Sequence, residues 1–432
     1  MFNIMFEFNS SLGRKIFKST SIYAIGNIIN KAVPFILLPI LTRFLSPEEY
    51  GILATFTALF GIVQIVIYMG TTDAIVRGFF DREKQNFVFS EYVFNGILIN
   101  VLVFGIILSG WFILKNWLSR LIPIPFKFQL FIPIISFFVA VMGIPLKLWV
   151  IRKKPVSHVI FNMSNAVVEL ILAVLFVAVL RLGWQGRIGS LFFAKFLFFL
   201  IGMYFVVKYG FFKIRLNKSY LKDIFAYGFP VVLHSLGFVI IAAIDKFFIN
   251  AFVGLSATGV YSVSFSVCSL IAFFTGAFNL AWMPFFYENL HNPTDFFKKK
   301  LVKCTYLYFA LVLVGVFLFI LTVPYVLRAL VGEKFLNANI FIFWLSLGFG
   351  FHAMYTVVVN YIFYAKKTYI LSKIAMLTIF LSVAFNYVLI RVNGALGVAQ
   401  ATCLVFFFRF ILVWYFSNRV YPMPWFKWNI IQ

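Results

Sequence analysis

The sequence predicts an all-α integral membrane protein of twelve transmembrane helices in two pseudo-symmetric six-helix lobes. Three observations carry that expectation. Only 12% of the 432 residues are charged while 63% are hydrophobic, about half the charge of a soluble domain. Apolar runs of about 20 residues, enough to cross a hydrocarbon core ~30 Å thick at ~1.5 Å per residue, occur twelve times. Glycines also recur at one offset: Gly51, Gly186 and Gly189 precede Gly259, Gly394 and Gly397 by 208 positions.

The first span, 19–42, holds Lys31 at its midpoint and the two prolines Pro34 and Pro39. Tyr23, Asn27 and Lys31 fall at i, i+4 and i+8 and share one face. A lysine facing lipid costs roughly 2.5–3.5 kcal/mol, so this stripe must look into protein or water. RFLSPEEYG then turns the chain: Ser46 caps the next helix, Pro47 takes its first position, and Glu49 closes a capping box. The span is too long and too polar for a cleaved signal segment. The remaining spans are 49–69, 89–112, 128–147, 159–180, 188–207, 226–249, 257–281, 304–326, 339–362, 369–390 and 396–416. Span 7 (226–249) departs most from a plain apolar run, since it contains Gly228, Pro230, His234 and Asp245.

The connections set the topology. Those before odd-numbered spans, with the C-terminus, hold 24 of the 37 lysines and arginines, against 10 on the other side. The positive-inside rule places both termini in the cytoplasm. The densest basic connection, Lys208 to Lys222, reads as an interfacial segment joining lobe 1–212 to lobe 213–432. The run Lys298–Lys300 reads as a solvated loop. With six spans per lobe, the two copies share one orientation, so the repeat axis would run along the membrane normal. The net charge of +24 lies between apolar runs, where it meets anionic lipid rather than nucleic acid. Cys268, Cys304 and Cys403 show neither disulfide nor metal spacing, and no cofactor is expected.

Five ionisable residues stand inside spans: Lys31, Glu169, Lys195, Asp245 and Arg409. Facing lipid together they would cost roughly 13–17 kcal/mol, more than a fold's usual net stability. They must meet a cavity or one another. Asn162, Asn165 and Glu169 share a face of span 5; Tyr227, His234 and Asp245 share one of span 7; Thr402 and Arg409 share one of span 12. Arg77 adds a cation beyond the inner end of span 2, with Asp73 one turn before it. Packing readings stand beside these: Asp245 pairing with Lys246 or a neighbour, Lys195 and Arg409 snorkelling, His234 and His352 hydrogen-bonded within the core. A cavity lined by fixed cations suits an anionic ligand, because Lys and Arg give charge-assisted hydrogen bonds to phosphate oxygens.

NIINKAVPFILLPILTRFLSPEEYG, MGTTDAIVRGFF, DKFFINAFVGLSATGVYS and NGALGVAQAT resemble segments of the oligosaccharide flippases that move O-antigen and capsule repeat units. These are polysaccharide biosynthesis proteins of the multidrug/oligosaccharidyl-lipid/polysaccharide exporter superfamily. The resemblance covers nearly the whole chain. It implies a fold of two six-helix lobes opening alternately to each side of the bacterial inner membrane. It implies no catalysis, and as substrate an undecaprenyl-pyrophosphate-linked oligosaccharide carried from the cytoplasmic to the periplasmic leaflet. Membrane lipids are implied as partners, with other glycan-assembly membrane proteins as further candidates. The residues matching the substrate cavity are Lys31, Arg77, Lys195, Lys246 and Arg409. Lys246 stands where family members often carry Arg, which weakens a bidentate phosphate contact. Asn27, Asn162 and Asn165 join them as substrate-binding candidates, and Asp245, Glu169 and His234 as coupling candidates. Two other readings are a polytopic glycosyltransferase using a lipid-phosphate sugar donor, with Glu48–Glu49 as its outer acid, and a multidrug antiporter of the same superfamily.

Overall fold

The computed structural model describes residues 32–81, 87–290 and 294–425, together with Gly26. Lys31, Asn27 and most of the first expected span lie outside the described residues; of that span the helix α1, Ala32–Phe44, is seen. The chain then runs through α2 (Pro47–Tyr68), α3 (Thr71–Phe80), α4 (Phe89–Ile113), α5 (Phe131–Ile151), α6 (Pro155–Ala173) and α7 (Gly183–Lys208). There follow α8 (Lys218–Phe252), α9 (Leu255–Cys268), α10 (Leu270–Asn289), α11 (Asp295–Leu330) and α12 (Asn339–Tyr364). The last helical stretch, Tyr369–Val420, is 52 residues long. At ~1.5 Å per residue it would reach roughly 78 Å unbroken, more than twice a hydrocarbon core.

It is not unbroken. Asn393 (φ −123°) and Gly394 (φ 56°, ψ −140°) leave helical geometry. A Cβ added to Gly397 would sit 1.9 Å from the Leu389 carbonyl oxygen. Residues eight apart meet this closely only where the chain doubles back. The stretch is therefore a hairpin of α13 (369–392) and α14 (395–420), which holds the two spans expected there. Among the described residues nine helical stretches are long and apolar enough to cross a membrane, counting this hairpin once, and ten with the bent α8. The protein is a multi-pass, all-helical membrane protein.

Local chemistry explains the boundaries. At the start of α2 the Ser46 N–H donates to Glu49 Oε2 at 2.9 Å and the Glu49 N–H donates to Ser46 Oγ at 3.1 Å, a complete capping box. Span 2 does not end at residue 69: after Met69 and Gly70, both at positive φ, the helix resumes as α3 and carries Arg77. Lys298–Lys300 are helical rather than a loop, because Thr294 Oγ1 accepts from the Phe297 N–H at 3.2 Å and starts α11 there. The segment after Lys208 is only partly interfacial strap. Tyr209–Asn217 is non-helical, and α8 begins at Lys218. The strap is held to α4: Asn95 donates to the Arg215 carbonyl at 2.9 Å, and Glu91 is bridged by Lys213 at 2.9 Å and Arg215 at 3.4 Å.

The described chain forms two compact units. The first holds the described part of Met1–Phe44 and Thr55–Leu236; the second holds Leu45–Ala54 and the described part of Gly237–Gln432. In the first, α8 crosses the α2–α3 break at backbone distance, since a Cβ on Gly228 would meet the Met69 carbonyl oxygen at 1.9 Å. In the second, a Cβ on Gly51 would meet the Leu255 oxygen at 2.0 Å, and one on Gly259 the Pro47 oxygen at 1.9 Å. Pro47 and Leu255 are separated by the same offset as Gly51 and Gly259. The contact is thus reciprocal, as a local two-fold relation requires. The glycine alignment fails at the later hairpins. The left-handed turn glycines are Gly183 (φ 58°) and Gly394 (φ 56°), so Gly183, not Gly186, plays the part of Gly394.

Candidate functional site

The first unit carries a buried ion triad. Pro155 starts α6 at a position where its missing N–H costs nothing. Asn165 and Glu169, one turn apart, face the same way. A turn through Arg181 (φ 52°) and Gly183 returns the chain as α7, and Gly186 lets α7 approach the Phe176 carbonyl. That hairpin sets Arg187 and Lys195 against Glu169. Arg187 donates to Glu169 Oε1 at 2.7 Å and Lys195 Nζ to Oε2 at 2.8 Å. Lys195 also donates to Asn165 Oδ1 at 3.2 Å, and Arg187 to Ser190 Oγ at 3.1 Å. The three charged side chains are 12–13% exposed. Two cations on one carboxylate leave the triad with one positive charge in excess, which can meet an anion.

A second cluster in this unit sits at the end of α3. Arg77 bonds Asp223 at the start of α8, and Tyr92 donates to the same carboxylate oxygen at 2.6 Å. The guanidinium stacks 4.6 Å over Tyr227. Asp73 accepts from Tyr68 at 2.5 Å and pairs with Lys147 at 3.2 Å.

The second unit holds a different arrangement. Asp245 is 2% exposed. Its Oδ2 accepts from Thr402 at 2.7 Å and Tyr261 at 2.8 Å, and its Oδ1 from the Asn386 amide at 3.0 Å. These donors come from α14, α9 and α13. All are neutral, and the Asn386 Oδ1 is buried with no hydrogen-bond partner. A bare carboxylate in such a place costs several kcal/mol unless a proton or a cation neutralises it. Two hydroxyls and one amide N–H all donate to it, so the carboxylate is held by hydrogen bonds alone and suits a proton or a small monovalent cation as its neutralising charge. Among the described residues no group of three His, Cys, Asp or Glu side chains gathers as a metal site. Further along α14, Arg409 is buried, donates to Tyr355 at 3.3 Å and lies 4.5 Å over its ring. His352 stacks on Tyr355 and on Phe406.

Residues 16–290, well over half the chain, match the family described as "Polysaccharide biosynthesis protein". The chain belongs to the polysaccharide biosynthesis protein family. It is similar to a protein of the Lsg locus of Haemophilus influenzae, 25% identical over 378 residues that cover 86% of this chain and 90% of that one. Its fold is similar to that of the lipid II flippase MurJ in an inward closed conformation (TM-score 0.74, 11% identity, 93% and 86% of the two chains covered). It is also similar to a multidrug resistance MATE family transporter of the MOP superfamily in an inward-facing conformation (TM-score 0.71, 14% identity, 91% and 94% covered). The resemblance read from the sequence segments is borne out at the level of family and fold.

Within this family member the sequence candidates are distributed as follows. Lys195, Glu169 and Asn165 are brought together, with Arg187 as a fourth member that sequence reading assigned to an outer connection. Asn162 is drawn aside to His158, at 3.4 Å. Arg77 is engaged by Asp223 rather than standing as an open cation. Asp245 is bonded to neutral donors, and among the described residues no ion pair joins it to Lys246. Thr402 and Arg409 share α14 but serve different clusters. Lys31, Asn27 and the His234 side chain lie outside the described residues. Tyr261, Asn386 and Asp223 were not singled out. For Asn386 a signal existed: Ser382 and Asn386 form a polar i, i+4 pair inside an apolar span, and Asn386 donates to Ser382 at 3.3 Å.

Proposed function

We propose that this chain is a flippase that carries undecaprenyl-pyrophosphate-linked oligosaccharide repeat units from the cytoplasmic to the periplasmic leaflet of the bacterial inner membrane by alternating access. The observation that carries the reading is the Glu169–Arg187–Lys195 triad, a buried group with net positive charge in a member of this family. The fold it shares with a lipid II flippase and a multidrug transporter supports transport rather than covalent chemistry. Lys31, Lys195, Lys246 and Arg409 supply cations to a pyrophosphate, Asn27 and Asn162 polar contacts, and Asp245 with its neutral donors exchanges the coupling proton or sodium ion. The twelve-span, two-lobe plan with boundaries near 212 and both termini cytoplasmic belongs to the same reading. Of the Glu48–Glu49 pair offered by the glycosyltransferase alternative, Glu49 is engaged in the α2 capping box, which weighs against that reading.

The test is transfer of lipid-linked oligosaccharide in proteoliposomes holding matched amounts of each variant. Wild type should translocate it, Lys31→Ala and Lys195→Gln should not, and Lys31→Arg should retain part of the rate because the charge persists. Organic-cation efflux with no glycolipid transfer would replace this reading with the antiporter. Truncated, rather than completed, repeat units accumulating in a deletion strain would replace it with a transferase.

A further inference from the structure

The free ends of α13 and α14 enclose a pocket of about 410 Å³ in the second unit, a size at which small ligands are commonly held. Lys367, Lys373 and Arg419 line it, with Ile370, Ile374 and Phe416 as its apolar wall. All three cations are exposed, and among the described residues none has a carboxylate partner. Instead aromatic rings hold two of them: Lys373 Nζ lies 5.7 Å over Tyr369 and the Arg419 guanidinium 5.0 Å over Tyr415. Three unneutralised cations around an apolar wall call for a ligand with an anionic head and an apolar body.

The helix face continues the site. Lys373, Leu377 and Phe380 stand at i, i+4 and i+7 on α13, so one side runs from the basic pocket down into the span. Leu377 is 45% and Phe380 69% exposed.

We propose that this pocket binds the phosphate headgroup of an anionic glycerophospholipid of the cytoplasmic leaflet, with one acyl chain lying along Leu377 and Phe380. The proposal rests on the topology given above, which sets the ends of α13 and α14 at the cytoplasmic surface; it does not depend on which glycan is carried. Basic pockets between helix ends on that side are suited to anionic headgroups, each nearby Lys or Arg contributing a factor of about five in affinity.

The experiment is binding of phosphatidylglycerol to the detergent-purified full chain by native mass spectrometry. Phosphatidylethanolamine with the same acyl chains and inorganic phosphate are the comparison probes. Wild type should hold phosphatidylglycerol well above either. Lys367→Gln, Lys373→Gln and Arg419→Gln should each weaken it about fivefold, and the triple variant about a hundredfold. Lys373→Arg should retain it, and Leu377→Ser with Phe380→Ser should weaken the lipid without changing phosphate. Lys298→Gln with Lys299→Gln, basic residues of another helix, should leave binding unchanged. Far-UV circular dichroism identifies any variant that fails to fold, in which case the charge-retaining Lys373→Arg and the apolar-face pair decide. Wild-type affinity in the folded triple variant, equal binding of phosphatidylethanolamine, or phosphate binding as tightly as the lipid would each overturn the proposal. None of these outcomes bears on glycolipid transfer, which the proteoliposome assay measures separately.

Discussion

Glu169 receives a hydrogen bond from each of two cations while almost closed to solvent, and this sets what each substitution there should do. Removing the carboxylate strands two buried cations, and breaking a buried ion pair costs roughly 3–5 kcal/mol. Removing Lys195 leaves the Glu169–Arg187 bond in place and relieves a charge excess. Glu169→Gln should therefore lower the Tm of the purified protein far more than Lys195→Gln, although both lose transport. Equal destabilisation would show that the three side chains act independently. Asp245 should behave in the opposite way. Its partners are neutral, and the partnerless Asn386 Oδ1 can accept from a new amide after that side chain rotates. Asp245→Asn should thus fold with little change in Tm and transport without responding to an imposed proton or sodium gradient. A gradient response equal to wild type would remove Asp245 from coupling. Part of this was legible in the sequence. Helical spacing put Asn165 and Glu169 on one face, and the cost of charge in lipid singled out Lys195 and Asp245. Arg187 was hidden because a basic residue near a span's end reads as a connection. Thr402 was placed on a polar face, but its bond to Asp245 and the parts of Tyr261 and Asn386 were hidden because these groups are uncharged and meet only through tertiary packing.

Helices are placed by where their backbones touch, and three glycines mark those places. Gly51 and Gly259 face backbone carbonyl oxygens at 2.0 and 1.9 Å from an added Cβ, as does Gly228 at 1.9 Å. No side-chain rotation relieves a clash with main chain, so Gly51→Ala, Gly228→Ala and Gly259→Ala must each displace a helix. Gly315 of α11 has nothing within 4 Å, and alanine there should gain up to ~1 kcal/mol of helix propensity. Thermal unfolding in one detergent should rank Gly315→Ala at or above wild type and the other three well below it. A Gly51→Ala protein as stable as Gly315→Ala would mean that the α2–α9 contact is not held at that distance. The sequence showed Gly51 and Gly259 as a repeat but not their roles. At Asn393–Gly394 it located the turn. At the matching hairpin the turn falls at Gly183, three residues before the position that the offset of 208 assigns, so the connections of the two copies differ in length.

At the scale of the molecule, apolar length and charge bias carry most of the information. Eleven of the twelve expected runs lie wholly on described residues, and each is helical over most of its length. What those signals could not locate were helix ends, since a helix continues past the apolar run wherever no cap or proline stops it. α11 accordingly starts at Asp295 and α8 at Lys218, drawing residues expected in loops into helix. This bears on the topology test. The bias of 24 basic residues to 10 assigns the connections before odd-numbered spans to the cytoplasm. Because Lys298–Lys300 are helical, reporters belong before that helix rather than within it, and in the strap at 214 rather than at Lys218. Fusions at 214 and before α11 should report cytoplasm, and those at Ser46, Leu182 and Asn393, all at observed turns, should report periplasm. The hairpin turn at Asn393 is the most informative. If the 52-residue stretch were one span, Lys367 and Val420 would lie on opposite sides of the membrane. A hairpin puts both on one side, with Asn393 across from them. A fusion at Asn393 reporting the same side as one after Val420 would dissolve the hairpin's two spans, the even count that returns both termini to the cytoplasm, and the cytoplasmic placement of the basic pocket with them.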